Sequence, residues 1–131
     1  MLDINKLKEE QTNLAKKIVL KDVLNIEDIK TIGGVNQVVV NNEIFSSIVV
    51  CDYKNMEIVE KQHSIEKTKI PYISGFRAYG EGPPITSAYS KLSTKPDVLI
   101  FLGNGILHPR NMGLASHMGL LLDQSSIGIA K

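Results

Sequence analysis

Three successive segments rich in β-branched residues, joined by very short links, constrain the fold of this chain more than any other feature. The segments are Thr31–Val40, Glu43–Tyr53 and Met56–Lys67, and the links are Asn41-Asn42 and Lys54-Asn55. Asparagine tolerates the positive φ values that a tight hairpin turn requires. Because links of two residues join only antiparallel neighbours, the sequence predicts an antiparallel meander of three strands.

After the third segment the pattern changes, and helices alternate with short apolar strands. Residues 70–84 are rich in proline and glycine, which predicts a long loop. The other predicted elements are an N-terminal helix over about residues 4–20, a helix over Ile85–Ser93, a strand over Val98–Leu102, a helix over Met112–Leu122 and a strand over Ser126–Ala130. The unbroken apolar run of the fourth strand is typical of a buried parallel strand. We therefore expect a single α/β domain over residues 1–131, with three antiparallel strands followed by parallel strands and flanking helices.

The spacing of apolar side chains predicts which helix faces are buried. The residues expected on one face of the N-terminal helix are Leu7, Leu14, Ile18 and Val19. The residues expected to point inward from the second helix are Ile85, Ala88, Tyr89 and Leu92.

The composition excludes several classes of protein. With 43% hydrophobic and 22% charged residues, the chain has the balance of an ordinary globular domain. A formal net charge of +1 does not by itself indicate a nucleic-acid-binding protein, although it is compatible with a local basic groove. Cys51 is the only cysteine, so no internal disulfide forms. No apolar run approaches the roughly 18 residues that span a bilayer, so we expect no membrane partner and a cytoplasmic location.

Three motifs in the second half of the chain carry a family resemblance. They are Pro71-Tyr72-Ile73-Ser74-Gly75-Phe76, which runs on to Glu81, then Pro96–Gly105, which ends in Leu-Gly-Asn-Gly, and His108–Gly119. In order and spacing they resemble the endonuclease V family. That family has Pro-Tyr-Ile-Pro-Gly-Phe, a strand ending in Asp-Gly-His-Gly, and His-Pro-Arg-x-x-Gly-x-Ala-Ser-His-x-Gly at these places. The closing segment Ile127–Lys131 is also similar to the family's next strand.

The resemblance implies a ribonuclease H-like fold and a Mg²⁺-dependent endonuclease that cleaves a phosphodiester near inosine in DNA or RNA. Mg²⁺ prefers oxygen ligands, chiefly carboxylates, water and phosphate. In the family these carboxylates come from the first strand, from a position after the Pro-Tyr-Ile-Pro-Gly-Phe motif, whose Tyr acts as a wedge between bases, and from the end of the fourth strand. In this chain the corresponding residues are Asn36, Glu81 and Leu102. Only Glu81 keeps a charge, so we expect no Mg²⁺ to be bound here.

Other family positions are better kept than the metal ligands. The resemblance implies a Tyr72 that pushes between bases, and a nucleic-acid-binding set made of Tyr72, Gly75, Gly103, Gly105, Arg110, Gly113, Ser116 and His117. The remnants of the catalytic group are Glu81, His108 and Lys131. The family's Asp-Gly-His-Gly histidine is replaced by Asn104, and longer members continue beyond the position of Lys131.

Each of these residues also has a structural explanation. Tyr72 could cap the edge of the core, and Glu81 could be a solvated charge in a loop. His108 and His117 could be histidines satisfied within the fold, and the glycines could serve only turns. Cys51 is most simply a small buried hydrophobic residue.

Three functions follow from these alternatives. The first is a family member with lost or impaired cleavage that keeps weak binding to inosine-containing or distorted DNA or RNA. The second is an active metal-dependent endonuclease with substitute ligands such as Asp97, Asp52 or Asp123. Of these, Asp97 is an odd number of residues from Leu102, so the two side chains are expected on opposite faces of the strand. The third is an oligomeric structural or regulatory partner. We expect a homodimer through the hydrophobic residues of the C-terminal half, which are Leu120, Leu121, Leu122, Ile127 and Ile129.

Overall fold

The three β-branched segments form three antiparallel strands in the computed structural model, which describes residues 2–131. They are β1 (Thr31–Val40), β2 (Glu43–Asp52) and β3 (Ile58–Lys67). A two-residue turn joins β1 to β2, and its first residue, Asn41, has a φ of 56°. β2 pairs antiparallel with both β1 and β3, so the predicted meander is confirmed.

Two further strands extend the sheet beyond β1. β4 (Val98–Leu102) pairs parallel with β1, and β5 (Ser126–Ile129) pairs parallel with β4. The strand order is β3-β2-β1-β4-β5, which places the first strand at the centre. This mixed sheet with its flanking helices confirms the predicted ribonuclease H-like α/β fold. No helix within residues 2–131 is both long and apolar enough to cross a membrane.

Helix α2 (Arg77–Ser90) begins well before the predicted start at Ile85. The prediction of a loop over residues 70–84 is therefore wrong from Arg77 onward, although Pro83 and Pro84 lie inside the helix. A proline inside a helix removes a backbone hydrogen bond and commonly costs about 3 kcal/mol. Here packing outweighs this cost, because Pro84 and Ile85 are fully buried against the core. The inward side chains Ile85, Ala88 and Leu92 are buried as predicted.

The other two helices are shorter than predicted. Helix α1 (Ile4–Ala15) ends five residues before the predicted end at residue 20, and helix α3 (Leu114–Leu121) starts two residues late. Val19 and Leu20, in the segment that the prediction added to α1, are exposed. In α1 the buried side chain is the polar Gln11, while Leu7 and Leu14 are only half-buried.

The two faces of the sheet differ in what covers them. The inner face packs against α2 and α3, and its core consists of Val35, Ile48, Val50, Leu99 and Phe101 from the strands with Ala78, Ile85, Ala88, Leu92, Leu114, Ala115 and Met118 from the helices. On the outer face, several large apolar side chains are exposed, namely Val38, Phe45, Ile65, Leu102, Ile127 and Ile129. Tyr89 and Leu122 pack at the edge of the core.

Candidate functional site

The parallel pairing of β1 and β4 brings two of the predicted metal positions together. Val35 lies opposite Phe101 in this register, so the next residues, Asn36 and Leu102, are neighbours. Both side chains are exposed, and Leu102 keeps 52% of its accessible surface. They lie at the end of β4, where Gly103 leaves the sheet. A pair made of an amide and a hydrocarbon therefore occupies this edge of the sheet.

Glu81 approaches the same part of the sheet from α2. Its Oε1 accepts a hydrogen bond of 3.2 Å from Nε2 of Gln37, the residue that follows Asn36 on β1. Its Oε2 accepts one of 2.6 Å from Nε of Arg77, four residues earlier on the helix. The Glu81 side chain is 12% exposed, so its interpretation as a solvated loop charge is wrong. The carboxylate is instead a paired group held against the sheet.

Arg77 joins this carboxylate to the end of β4. Its Nη1 donates a 2.9 Å hydrogen bond to the backbone oxygen of Leu102, while its Nε bonds Glu81. The guanidinium also lies close to Gly103, where a Cβ atom would come within 2.8 Å of Nη1. The absence of a side chain at position 103 thus makes room for the arginine.

These groups do not fit a divalent metal site. Mg²⁺ dehydrates reluctantly and needs several well-placed oxygen ligands. Here Glu81 is already paired with Arg77, Asn36 offers only a neutral oxygen and Leu102 offers none. Within residues 2–131, no three His, Cys, Asp or Glu side chains are grouped closely enough to hold a metal ion.

The proposed substitute ligands lie at the other end of the sheet. Asp97 accepts hydrogen bonds from the backbone N–H groups of Lys30 and Thr31, at the start of β1. Asp52 pairs with Thr31 across β1 and β2 and accepts hydrogen bonds in the turn that follows. Five residues of strand separate Thr31 from Asn36, which corresponds to roughly 16 Å. Asp123 precedes the start of β5 at this same end, so the three carboxylates cannot serve the site at Leu102.

The Tyr72 loop, residues 71–76, carries the predicted wedge residue. Tyr72 is 77% exposed, which is the exposure an aromatic side chain needs for stacking on a base. Phe76 at the other end of the loop is buried, and the guanidinium of Arg110 lies 4.9 Å from the centre of its ring. The loop therefore has a fixed base and a free aromatic tip.

One backbone oxygen holds the base of this loop. The carbonyl of Gly75 accepts hydrogen bonds from Gln11 Nε2 at 2.9 Å, His108 Nε2 at 2.8 Å and Arg110 Nη2 at 3.4 Å. Gly75 has a φ of +88°, a conformation that favours glycine. Arg110 Nε also donates to Gln11 Oε1 at 2.6 Å, which closes the network. Gln11, His108 and Arg110 therefore anchor the Tyr72 loop.

His108 uses both ring nitrogens in this anchor. Its Nδ1 accepts hydrogen bonds from the backbone N–H groups of Arg110 and Met112. A neutral imidazole has one donor and one acceptor nitrogen, so the proton must lie on Nε2, which donates to Gly75. In this arrangement neither nitrogen is free to take a proton from a substrate.

The segment between β4 and α3 holds four of the predicted binding residues, Gly103, Gly105, Arg110 and Gly113, and a fifth, Ser116, follows in the first turn of α3. The backbone N–H of Gly113 donates to the Gly105 carbonyl at 2.9 Å. A Cβ atom at position 113 would collide with the backbone oxygen of Asn104, so the turn requires a glycine there. Gly103 and Gly113 are buried, whereas Gly105 and Ser116 are partly accessible.

His117 lies beneath this surface. Its side chain is 3% exposed, and its ring meets that of Tyr79 edge-on, with 5.1 Å between the ring centres. Burial lowers the pKa of His117 and raises the pKa of Tyr79, whose hydroxyl also donates a 2.8 Å hydrogen bond to Glu10. Lys131, by contrast, is exposed beyond the end of β5. Lys131 follows two residues after Ile129, which pairs with Leu102, and within residues 2–131 the hydrogen-bond partners of the Glu81 side chain are Gln37 and Arg77 rather than Lys131 or His117.

Three site residues escaped prediction from the sequence, namely Gln11, Gln37 and Arg77. In a sequence, a glutamine in an amphipathic helix or on a strand looks like any solvent-exposed polar residue. Nothing in the sequence therefore marks Gln11 or Gln37 as a site residue. Arg77 lies in the segment predicted as a loop. Its spacing of four residues from Glu81 indicates an ion pair only when both residues lie on one helix.

The chain is similar in sequence to proteins of one known family. A profile of the Endonuclease V family matches residues 12–131. The Endonuclease V of Dictyoglomus turgidum is 44% identical over 126 residues, which make up 96% of this chain and 53% of that protein.

Solved structures are similar over the same region. The Endonuclease V of Bacillus subtilis superposes with a TM-score of 0.89 at 38% identity, covering 100% of this chain and 57% of that one. The Endonuclease V of Ciona intestinalis, solved with a 24mer DNA containing an inosine followed by a ribo-adenosine, gives a TM-score of 0.91 at 29% identity. It covers 98% of this chain and 57% of that one. The chain thus spans little more than half the length of the relatives it matches.

Proposed function

Because the chain belongs to the endonuclease V family, we propose that it binds inosine-containing or distorted nucleic acid but has lost or severely impaired cleavage. Two parts of the fold support this function. The Tyr72 loop supports nucleic-acid binding, and the edge of the sheet at Leu102 supports the loss of cleavage.

The side chain at the end of β4 carries the proposal for impaired cleavage. Leu102 lies beside Asn36, and Glu81 is paired with Arg77, so the chain offers no set of free carboxylates. A positioned metal ion commonly contributes several kcal/mol of transition-state stabilisation in phosphodiester hydrolysis, on the order of 10³-fold in rate. In this proposal His108 anchors the Tyr72 loop instead of taking part in catalysis, whereas Lys131, Ser116 and His117 keep their predicted roles.

The Tyr72 loop carries the proposal for binding. Its aromatic tip is exposed, and the three donors to the Gly75 carbonyl fix its base. A loop whose base is already held loses less conformational freedom when its aromatic tip stacks on a nucleic-acid base. The Ciona intestinalis relative is seen with inosine-containing DNA, which supports the same class of ligand here.

A cleavage assay tests the loss of activity. The chain is incubated with inosine-containing single- and double-stranded DNA and RNA in Mg²⁺ and in Mn²⁺, with EDTA as the metal-free control. We expect no cleavage above the level seen with EDTA. Turnover that EDTA and Glu81→Gln both abolish would overturn the proposal.

Fluorescence anisotropy with the same oligonucleotides tests binding. We expect Tyr72→Ala to weaken binding about tenfold, because stacking on a base contributes roughly 1–3 kcal/mol. Tyr53→Ala is the matched control, since Tyr53 is also partly exposed but follows β2 at the other end of the sheet. Equal losses from both variants, or none from either, would argue against a binding role for the loop.

A second candidate function is self-association as a structural partner. Leu121, Ile127 and Ile129 are exposed in the C-terminal half, as a dimer contact there requires. We further assign the chain to the cytoplasm, where a protein with one unpaired cysteine, Cys51, is common.

A further inference from the structure

The Arg77 guanidinium bridges the gap between the remaining carboxylate and the end of β4. It makes a 2.6 Å contact from Nε to Glu81 and a 2.9 Å contact from Nη1 to the backbone oxygen of Leu102. The guanidinium therefore lies between Glu81, on the face of the sheet that α2 covers, and the main chain at the end of β4.

Two neighbouring residues, Gly103 and Gln37, accommodate this arrangement. Gly103 leaves space for the guanidinium, since a Cβ atom there would lie 2.8 Å from Nη1 and 3.2 Å from Cβ of Leu114. Gln37 donates to the second oxygen of Glu81, so each carboxylate oxygen has a donor of its own. A carboxylate satisfied in this way gains little from a metal ion, because the ion would have to displace the arginine.

We propose that Arg77 is a built-in cation that takes the place of a divalent metal at Glu81, and that it keeps metal out even when the missing carboxylates are restored. Glu81 is then retained as the partner of Arg77 and as a link between α2, β1 and the end of β4. This inference rests on the proposed loss of the metal site and adds a second cause to the changes at positions 36 and 102.

Metal-dependent melting of four proteins tests the inference. They are the unchanged chain, Arg77→Met, Asn36→Asp with Leu102→Asp, and the triple variant that combines all three substitutions. Melting temperatures are measured in EDTA and across a series of Mn²⁺ and Mg²⁺ concentrations, since a metal that binds only the folded state raises the melting temperature. Methionine keeps the unbranched stem of arginine and removes its charge.

We expect only the triple variant to show a saturable rise in melting temperature with Mn²⁺. The variant that carries both aspartates and Arg77 should need at least about tenfold more Mn²⁺ for the same rise, because the arginine competes with the metal. Lys95→Met in the same two-aspartate background is the matched control and should leave the Mn²⁺ response unchanged, because Lys95 contacts Tyr89 rather than Glu81. Equal Mn²⁺ responses with and without Arg77, or no response in the triple variant, would overturn the inference.

A double-mutant cycle covers the case in which the triple variant does not fold. Arg77→Met should lower the melting temperature by several degrees in the unchanged chain and by clearly less in a Glu81→Gln background. Purely additive effects would show that the two side chains do not depend on each other, and the inference would fail. Neither measurement uses a substrate, so cleavage by the unchanged chain would overturn the proposed function separately.

Discussion

At the scale of single residues, the Tyr72 loop depends on the one carbonyl group of Gly75. A net contribution of about 1 kcal/mol is typical for a neutral hydrogen bond, and a charged donor such as Arg110 contributes somewhat more. Gln11 connects two members of this anchor, because it donates to Gly75 and accepts from Arg110. Replacing a buried glutamine whose amide oxygen and nitrogen are both hydrogen-bonded is destabilising, since each partner that remains is left without that hydrogen bond.

His117 provides a prediction about pH at the same scale. Burial lowers its pKa, so the folded chain binds a proton at a lower pH than the unfolded chain does. As the pH falls below the usual histidine range, the unfolded state gains a proton that the folded state does not, and stability decreases. At neutral pH and above, both states are neutral and the effect disappears.

We therefore expect the melting temperature to fall between pH 7.5 and pH 5, and to fall less in His117→Gln. His63→Gln, which removes an exposed imidazole on β3, is the control. A variant of His117 with the same slope as the unchanged chain would show that this histidine does not couple to folding.

At the scale of elements, α2 contains two adjacent prolines with different surroundings. Pro83 is exposed and Pro84 is fully buried, although both remove a backbone donor from the helix. The cost to the hydrogen-bond ladder is thus shared by the two residues, whereas the gain from packing belongs to Pro84 alone.

Alanine substitutions separate these two effects. Pro83→Ala should stabilise the chain, because it restores a donor in the helix without removing buried surface. Pro84→Ala restores a donor too but removes about two buried methylene groups at roughly 0.8 kcal/mol each, so it should be less stable than Pro83→Ala by about 1–2 kcal/mol. Urea denaturation at 25 °C measures both. The reverse order would mean that the helix, and not the packing of Pro84, sets the stability of this segment.

The elements that the sequence predicts well are those that local chemistry determines. The meander follows from β-branched segments and from an asparagine turn, and β4 follows from an unbroken apolar run. The start of α2 could not be predicted in this way, since local preference favours a loop and only contact with the core reverses it. The same limit applies to the site, because the motifs identified Glu81, His108 and Arg110 but not their partners Gln11, Gln37 and Arg77.

At the scale of the whole molecule, α2 and α3 cover one face of the sheet, and within residues 2–131 several large apolar side chains of the other face are exposed. The outer face of β4 and β5 exposes Leu102, Ile127 and Ile129, and Leu121 is exposed on the neighbouring helix. The chain matches little more than half of each relative. A patch of this kind tends to be covered by another protein surface.

We expect the chain to form a homodimer through this patch. Light scattering coupled to size exclusion should give a dimer at tens of micromolar, and Ile127→Glu should shift it to a monomer. Val59→Glu is the matched control, because Val59 is similarly exposed but lies on β3 at the far edge of the sheet. A monomer at high micromolar concentration would contradict the expectation.

The central position of β1 also determines which strand edge is exposed while the chain is being synthesised. Its partner on one side, β2, follows after a turn of two residues, but its partner on the other side begins near Asp97, 66 residues beyond Thr31. At roughly 5–20 residues per second, the meander is complete a few seconds before β4 has been synthesised. During that interval the strand that ends up at the centre is an edge strand, with unpaired N–H and C=O groups along one side. The newly made meander is therefore exposed to pairing with other chains until β4 arrives.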